Sequence, residues 1–207
     1  MLVVVVAIVA SLGGRLQALS HSMADSSMGS SFSALVDDGR PEHYESAPPE
    51  SFGGGALGEA DGAVPDGTTV FDDDVPGVAN LDPALLDALR RAASSAATDG
   101  LELVVDSAWR SPAYQEHLLR DAVAKYASTA EAARWVATAD TSAHVSGEAV
   151  DIGPPRAAAW LSAHGARFGL CQIYGNEPWH YELRPDAADR GCPQTYADPT
   201  HDPRMQR

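Results

Sequence analysis

The sequence predicts an α+β domain, a small antiparallel sheet with helices packed on it, held between polar flanks. Two observations carry this. Helical and strand-like periodicities alternate after residue 80 without regular βαβ repetition. Residues 23–80 are instead rich in Ser, Gly, Pro and acid with few large apolar residues, a texture that does not supply a core. At 207 residues the chain has room for one ordinary domain of roughly 100–150 residues plus extra segments.

The elements follow in order. Asp82-Pro83 is an N-cap with Pro at the first helical position, and Leu81, Leu85, Leu89 and Ala92 keep one face, so a helix runs to about Gly100. Leu101-Glu102-Leu103-Val104-Val105 reads as a strand. Ser111-Pro112 opens a second helix with Tyr114, Leu118, Ala122 and Tyr126 on one side, and the Ala-rich stretch 130–138 reads as helical. Glu148 to Ile152 is a short strand, and Pro155 to His164 a helix closed by Gly165. Two final strands, 170–174 and 179–183, flank Gly175-Asn176-Glu177-Pro178.

The charge is −15, from 14 basic and 29 acidic residues, and it is unevenly spread. Residues 23–80 hold twelve acids and only Arg40, whereas residues 81–207 hold seventeen acids and twelve bases. An acidic chain without a basic patch argues against a nucleic-acid partner. Breakers such as Pro48-Pro49 and the self-repelling Asp72-Asp73-Asp74 make 23–78 an extended, disordered linker. Residues 1–22 open on an apolar run, Met1 to Leu12, too short to span a bilayer and of the length of a signal-peptide core, although no Lys or Arg precedes it. The reading is export, secreted or anchored through this segment, which is the chain's one membrane contact. The domain then covers 79–192, and residues 193–207 form a disordered tail. Cys171 and Cys192 are the two cysteines. In an oxidising compartment a bridge between them would staple that tail; the alternative is two unrelated thiols.

No H-E-x-x-H, G-x-S-x-G or Walker loop occurs. What does occur is Ser142-x-His144-x-x-Gly147-x-Ala149-x-Asp151, followed by Glu177-Pro178-Trp179-His180. Imidazoles plus one carboxylate are the donors that suit a catalytic zinc with an open position. This compound pattern resembles the D-alanyl-D-alanine carboxypeptidase and dipeptidase family of zinc peptidases, which shares its fold with the hedgehog signalling domain. Ser107-Ala108-Trp109-Arg110-Ser111 with Gln115 is similar to a second element of that family, with Trp109 and Ala108 standing where Tyr and Gly are usual. The resemblance covers roughly residues 80–185. It implies Zn²⁺ held by His144, Asp151 and His180, Glu177 as catalytic base, and Arg110 on the scissile carbonyl or the developing oxyanion. Gln115 and Ser142 would contact substrate, and Trp179 would wall the pocket. The implied substrate is the D-Ala-D-Ala end of a peptidoglycan stem peptide. An endopeptidase or dipeptidase cut, or a non-catalytic zinc-stabilised wall-binding module, are the alternatives.

Overall fold

A computed structural model describes residues 57–206; the apolar N-terminal segment and the linker up to residue 56 lie outside the described residues. Its helices are α1 (Pro76–Ala79), α2 (Pro83–Thr98), α3 (Pro112–Tyr126), α4 (Thr129–Ala132), α5 (Pro155–His164) and α6 (Ala187–Arg190). Its strands are β1 (Val104–Ser107), β2 (Ala149–Gly153), β3 (Leu170–Gln172) and β4 (His180–Leu183). They form one antiparallel sheet in the order β1-β2-β4-β3.

Helix α2 starts where the sequence places it. The Asp82 carboxylate accepts hydrogen bonds from the amides of Ala84 and Leu85 at 2.9 and 3.0 Å, satisfying donors that the first turn cannot pair. Leu85, Ala88, Leu89, Ala92 and Ala96 are fully buried against Val105, Val150, Ile152 and Tyr181 of the sheet and Trp160 and Leu161 of α5. Burying each leucine contributes roughly 1.5–3 kcal/mol. The helix closes with Gly100 at φ +74°, the Leu101 amide on the Ala96 carbonyl and the Gly100 amide on Ala97. That closure consumes the residues expected to begin the first strand, so pairing starts at Val104 opposite Gly153.

Three expectations are corrected. The Ala-rich stretch 130–138 is helical only over Thr129–Ala132, because carbonyls beyond it are taken by side chains: Asn176 donates to Arg134 O and Gln115 to Ala137 O, both at 2.8 Å. The domain also begins before residue 79. Val64 and Val70 belong to the main core, the Ser111 amide binds the Asp61 carbonyl at 2.7 Å, and Thr69 bridges to Val104. Gly62 sits at φ +103° with the Trp109 carbonyl so close that a Cβ would lie 2.2 Å from it; no other residue fits there.

The tail, expected to be disordered, is packed. Cys171 and Cys192 form a disulfide closing a loop with a sequence separation of 21, which contributes roughly 3 kcal/mol by constraining the unfolded chain. Beyond it, the Tyr196 amide binds Ile173 O and the Tyr196 carbonyl accepts from the Gly175 amide. Asp198 and Asp202 are buried. Their polarity does not mean exposure: Asp198 meets Arg134 at 3.0 Å, and Asp202 pairs with Arg204. Among the described residues, no helix is long and apolar enough to cross a membrane.

Candidate active site

Strand alternation and one tight turn assemble the site. On β4, His180 and Glu182 face one side of the sheet, while Tyr181 between them enters the core and donates to the Ala158 carbonyl. Asp151 on β2 is the direct cross-strand partner of His180. His144 arrives from the loop ahead of β2, where Gly147 adopts φ +76° and its carbonyl accepts the Asp82 amide at 2.8 Å. A Cβ at Gly147 would lie 2.5 Å from Asn80 O, so the turn delivering His144 is docked on the start of α2.

The result is a buried triangle of donor atoms. His144 Nε2 lies 3.2 Å from His180 Nδ1 and 3.4 Å from Asp151 Oδ1, and His180 Nδ1 is 3.2 Å from Asp151 Oδ1. Tetrahedral zinc with ligands at about 2.0–2.1 Å needs donor separations of roughly 3.3–3.4 Å. Both outer ring nitrogens are committed elsewhere: His144 Nδ1 donates to the Ala108 carbonyl at 2.8 Å and His180 Nε2 to Glu182 Oε1 at 3.2 Å. Each imidazole therefore turns its other nitrogen inward, the arrangement that metal-binding histidines adopt. The donor set fits zinc. Among the described residues it is the one group of His, Cys, Asp and Glu side chains close enough together to hold a metal ion.

Burial and close partners set the charge of each group at the site. Burial, followed by the Arg110 charge, lowers the His144 imidazole below its ordinary value, leaving it neutral. Burial would lower His180 too, but hydrogen bonds to Asp151 and Glu182 outweigh it and push its pKa up to about 10. Burial acts to raise Asp151 and Glu182 as well. Contacts with His144 and His180 override this for Asp151, and hydrogen bonds from His180 and Arg204 override it for Glu182, so both stay ionised well below the usual range. Glu177 behaves oppositely: burial dominates and raises its carboxyl to about 8. Its Oε2 is 3.8 Å from His180 Nδ1, and its buried Oε1 has no hydrogen-bond partner among the described residues.

Arg110 is fixed by three partners. Nε donates to Ser107 Oγ at 2.9 Å, Nη1 to Gln115 Oε1 at 3.1 Å and Nη2 to Asp151 Oδ2 at 3.1 Å. Gln115, expected to contact substrate, accepts from Arg110 and donates to Ala137 O. Arg110, Gln115, Ser142, His144, Asp151, Glu177, Trp179 and His180 all line one cavity of about 960 Å³, which extends past Tyr114 and Tyr126 to Trp135. Sequence reasoning picked out the segment holding Ser107 and Ala108 without their roles toward Arg110 and His144, and it missed Glu182. Glu182 left a signal of its own, since it is two residues from His180 on an expected strand and so shares its face.

A buried His–Asp–His triangle beside an ionisable glutamate, at the wall of a large cleft, is the arrangement of a zinc peptidase. The family model for VanY, D-alanyl-D-alanine carboxypeptidase, matches residues 78–186, and the chain belongs to that family. A D-alanyl-D-alanine carboxypeptidase of Enterococcus faecalis (strain ATCC 700802 / V583) is 32% identical over 112 residues; the match covers 42% of this chain and 42% of that relative. Among solved structures, the vancomycin-resistance D,D-pentapeptidase VanY of a VanB-type cassette, in complex with Zn(II), is 29% identical. That match covers 50% of this chain and 72% of that one, with a TM-score of 0.47. The LdcB LD-carboxypeptidase is 22% identical over 62% of this chain and 71% of its own, with a TM-score of 0.50, a likeness of fold.

Proposed function

We propose that the protein is an exported, zinc-dependent D-alanyl-D-alanine carboxypeptidase that releases the terminal D-Ala of peptidoglycan stem peptides. The observation that carries this is the His144–Asp151–His180 triangle with the partnerless Oε1 of Glu177 beside it. Zinc bound by those three residues would supply a Lewis acid for the scissile carbonyl and lower the pKa of a coordinated water.

The remaining chemistry belongs to the chain. Glu177 is the base: its carboxylate takes the proton of the attacking water, holds it on Oε1, and passes it to the departing amine of D-Ala. A nearby divalent charge favours its ionised form, opposing the burial that raises its pKa. Arg110 presents a fixed positive charge, preorganised by Ser107, Gln115 and Asp151, where the carbonyl oxygen or the substrate carboxylate gathers negative charge. Gln115 acts by holding Arg110, and Ser142 and Trp179 supply cavity wall against the peptide. The disulfide supports an oxidising compartment and so export, secreted or anchored at the wall.

Incubation of the zinc-loaded protein with a synthetic pentapeptide stem, read by mass spectrometry, tests the proposal. Loss of one alanine is expected. Loss of two or an internal cut would assign a dipeptidase or endopeptidase cut instead, and an intact peptide would overturn the enzymatic reading in favour of a wall-binding module.

A further inference from the structure

The residues that the family model matches end at 186, yet the chain beyond them reaches the back of the candidate metal centre. Arg204 lays its guanidinium flat against Glu182, Nη1 donating to Oε2 at 2.7 Å and Nη2 to Oε1 at 3.0 Å. Glu182 Oε1 is the atom that accepts the hydrogen bond from His180 Nε2. Arg204 is itself clamped by Asp202, which accepts from its backbone amide and its Nε, both at 2.9 Å. A second path runs through Tyr174. Its hydroxyl donates to Asp202 Oδ2 at 3.1 Å, and its ring lies 5.0 Å from the imidazole of His180, centroid to centroid. Glu182 and Asp202 are almost fully buried, so water cannot easily replace a lost partner.

We propose that Arg204 is a positioning residue for the metal ligand His180, acting through Glu182. Arg184 also donates to Glu182, but to Oε2, at 2.8 Å. Without Arg204 the carboxylate loses its planar fork and is left with one arginine pulling on the oxygen away from His180. The carboxyl then turns toward Arg184, and the imidazole loses the acceptor that fixes its orientation and basicity. The C-terminal strap thus forms the third layer of the site, behind ligand and ligand partner. The disulfide at Cys192 ties its start to β3.

The inference rests on the metal-site reading above, and the test separates the two. Zinc affinity of the full chain is measured by chelator competition for wild type, Arg204→Met, Arg204→Lys and the surface control Arg91→Met. Cobalt(II) absorption and thermal melting are recorded alongside. Outer partners of metal ligands typically cost 10–100-fold in affinity, and Arg204 stands one step further out, so the expected loss in Arg204→Met is about tenfold. Its cobalt spectrum shifts, Arg204→Lys falls between it and wild type, and Arg91→Met is unchanged. If Arg204→Met melts lower but binds zinc with wild-type affinity and an unaltered cobalt spectrum, the strap is only structural and the proposal fails. Should Arg204→Met not fold, Arg204→Lys decides, since it keeps the charge but not the fork; wild-type affinity and spectrum there also overturn it. A wild-type protein that binds no zinc would instead remove the metal site itself, and this inference with it.

Discussion

The two faces of strands β2 and β4 obey different rules. On one, Val150, Ile152 and Tyr181 pack against the leucines and alanines of α2 and against α5, and other apolar side chains of similar volume would serve at Val150 and Ile152. On the other, Asp151, His180 and Glu182 are just as buried but are tolerable only because each charge has a named partner. The apolar face supplies folding energy that many sequences could supply. The polar face draws on that stability to hold charges a few ångströms apart, and gains chemistry from it.

This contrast can be broken from either side. The largest effect is expected for His180→Ala, which removes a proposed ligand and should weaken zinc binding by more than the roughly 10–100-fold that outer partners cost. Stoichiometric zinc in the purified variant would refute the ligand assignment. Glu177→Gln should keep its zinc and lose turnover by about 10²–10⁴-fold, the usual share of a general base; near-normal kcat would reassign the base. On the apolar face, Leu89→Ala should cost about 2–5 kcal/mol in denaturant unfolding. Its zinc affinity at low temperature should not move, and if it did, the two faces would not be separable.

The subtlest effect is on pH. In chelator-treated protein, Glu177 and His180 keep their protons up to about 8 and about 10, against ordinary values of 4.5 and 6.5. The unfolded chain then binds fewer protons across that interval, so stability falls as pH rises from about 4.5 to about 10. Asp151 and Glu182, held ionised below their ordinary range, act in the other direction, and their stabilisation is lost as pH falls into the acid range. His144, held below its ordinary 6.5, offsets the Glu177 contribution up to that pH, so melting temperature should fall most steeply between about 6.5 and 8. Glu177→Gln should flatten the decline between about 4.5 and 8 while leaving the part above it. An identical decline in that variant would mean that Glu177 does not hold the proton.

The same division governs how much could be read from the sequence. Helix α2 was legible because its face repeats every turn and Asp82-Pro83 announces its start. His144, Asp151, Glu177 and His180 were legible because their spacing within two short segments resembles a known pattern. Local sequence cannot announce what depends on distant partners. The Ala108 carbonyl behind His144 has no side-chain signature. The tail looked solvent-loving because Asp198, Asp202 and Arg204 are charged, and only the fold reveals Arg134 and Glu182 waiting for them. Val64 and Val70 were hidden in the same way, as isolated valines in an acidic stretch whose cavity is built by later residues.

The cross-strand pairing of Asp151 with His180 has a consequence for how such a domain can change over time. Their separation is set by the backbone ladder, and a slip of one residue in either strand would turn that strand's donor into the core. The pairing of these two donors is in this sense a property of strand register, whereas His144 and Glu177 depend on the loops that carry them. The segments carrying Tyr126 and Trp135 at the far wall of the cavity can then be rewritten without disturbing that pair. Selection on what the cavity admits and selection on what the paired donors hold would act on separate parts of the chain.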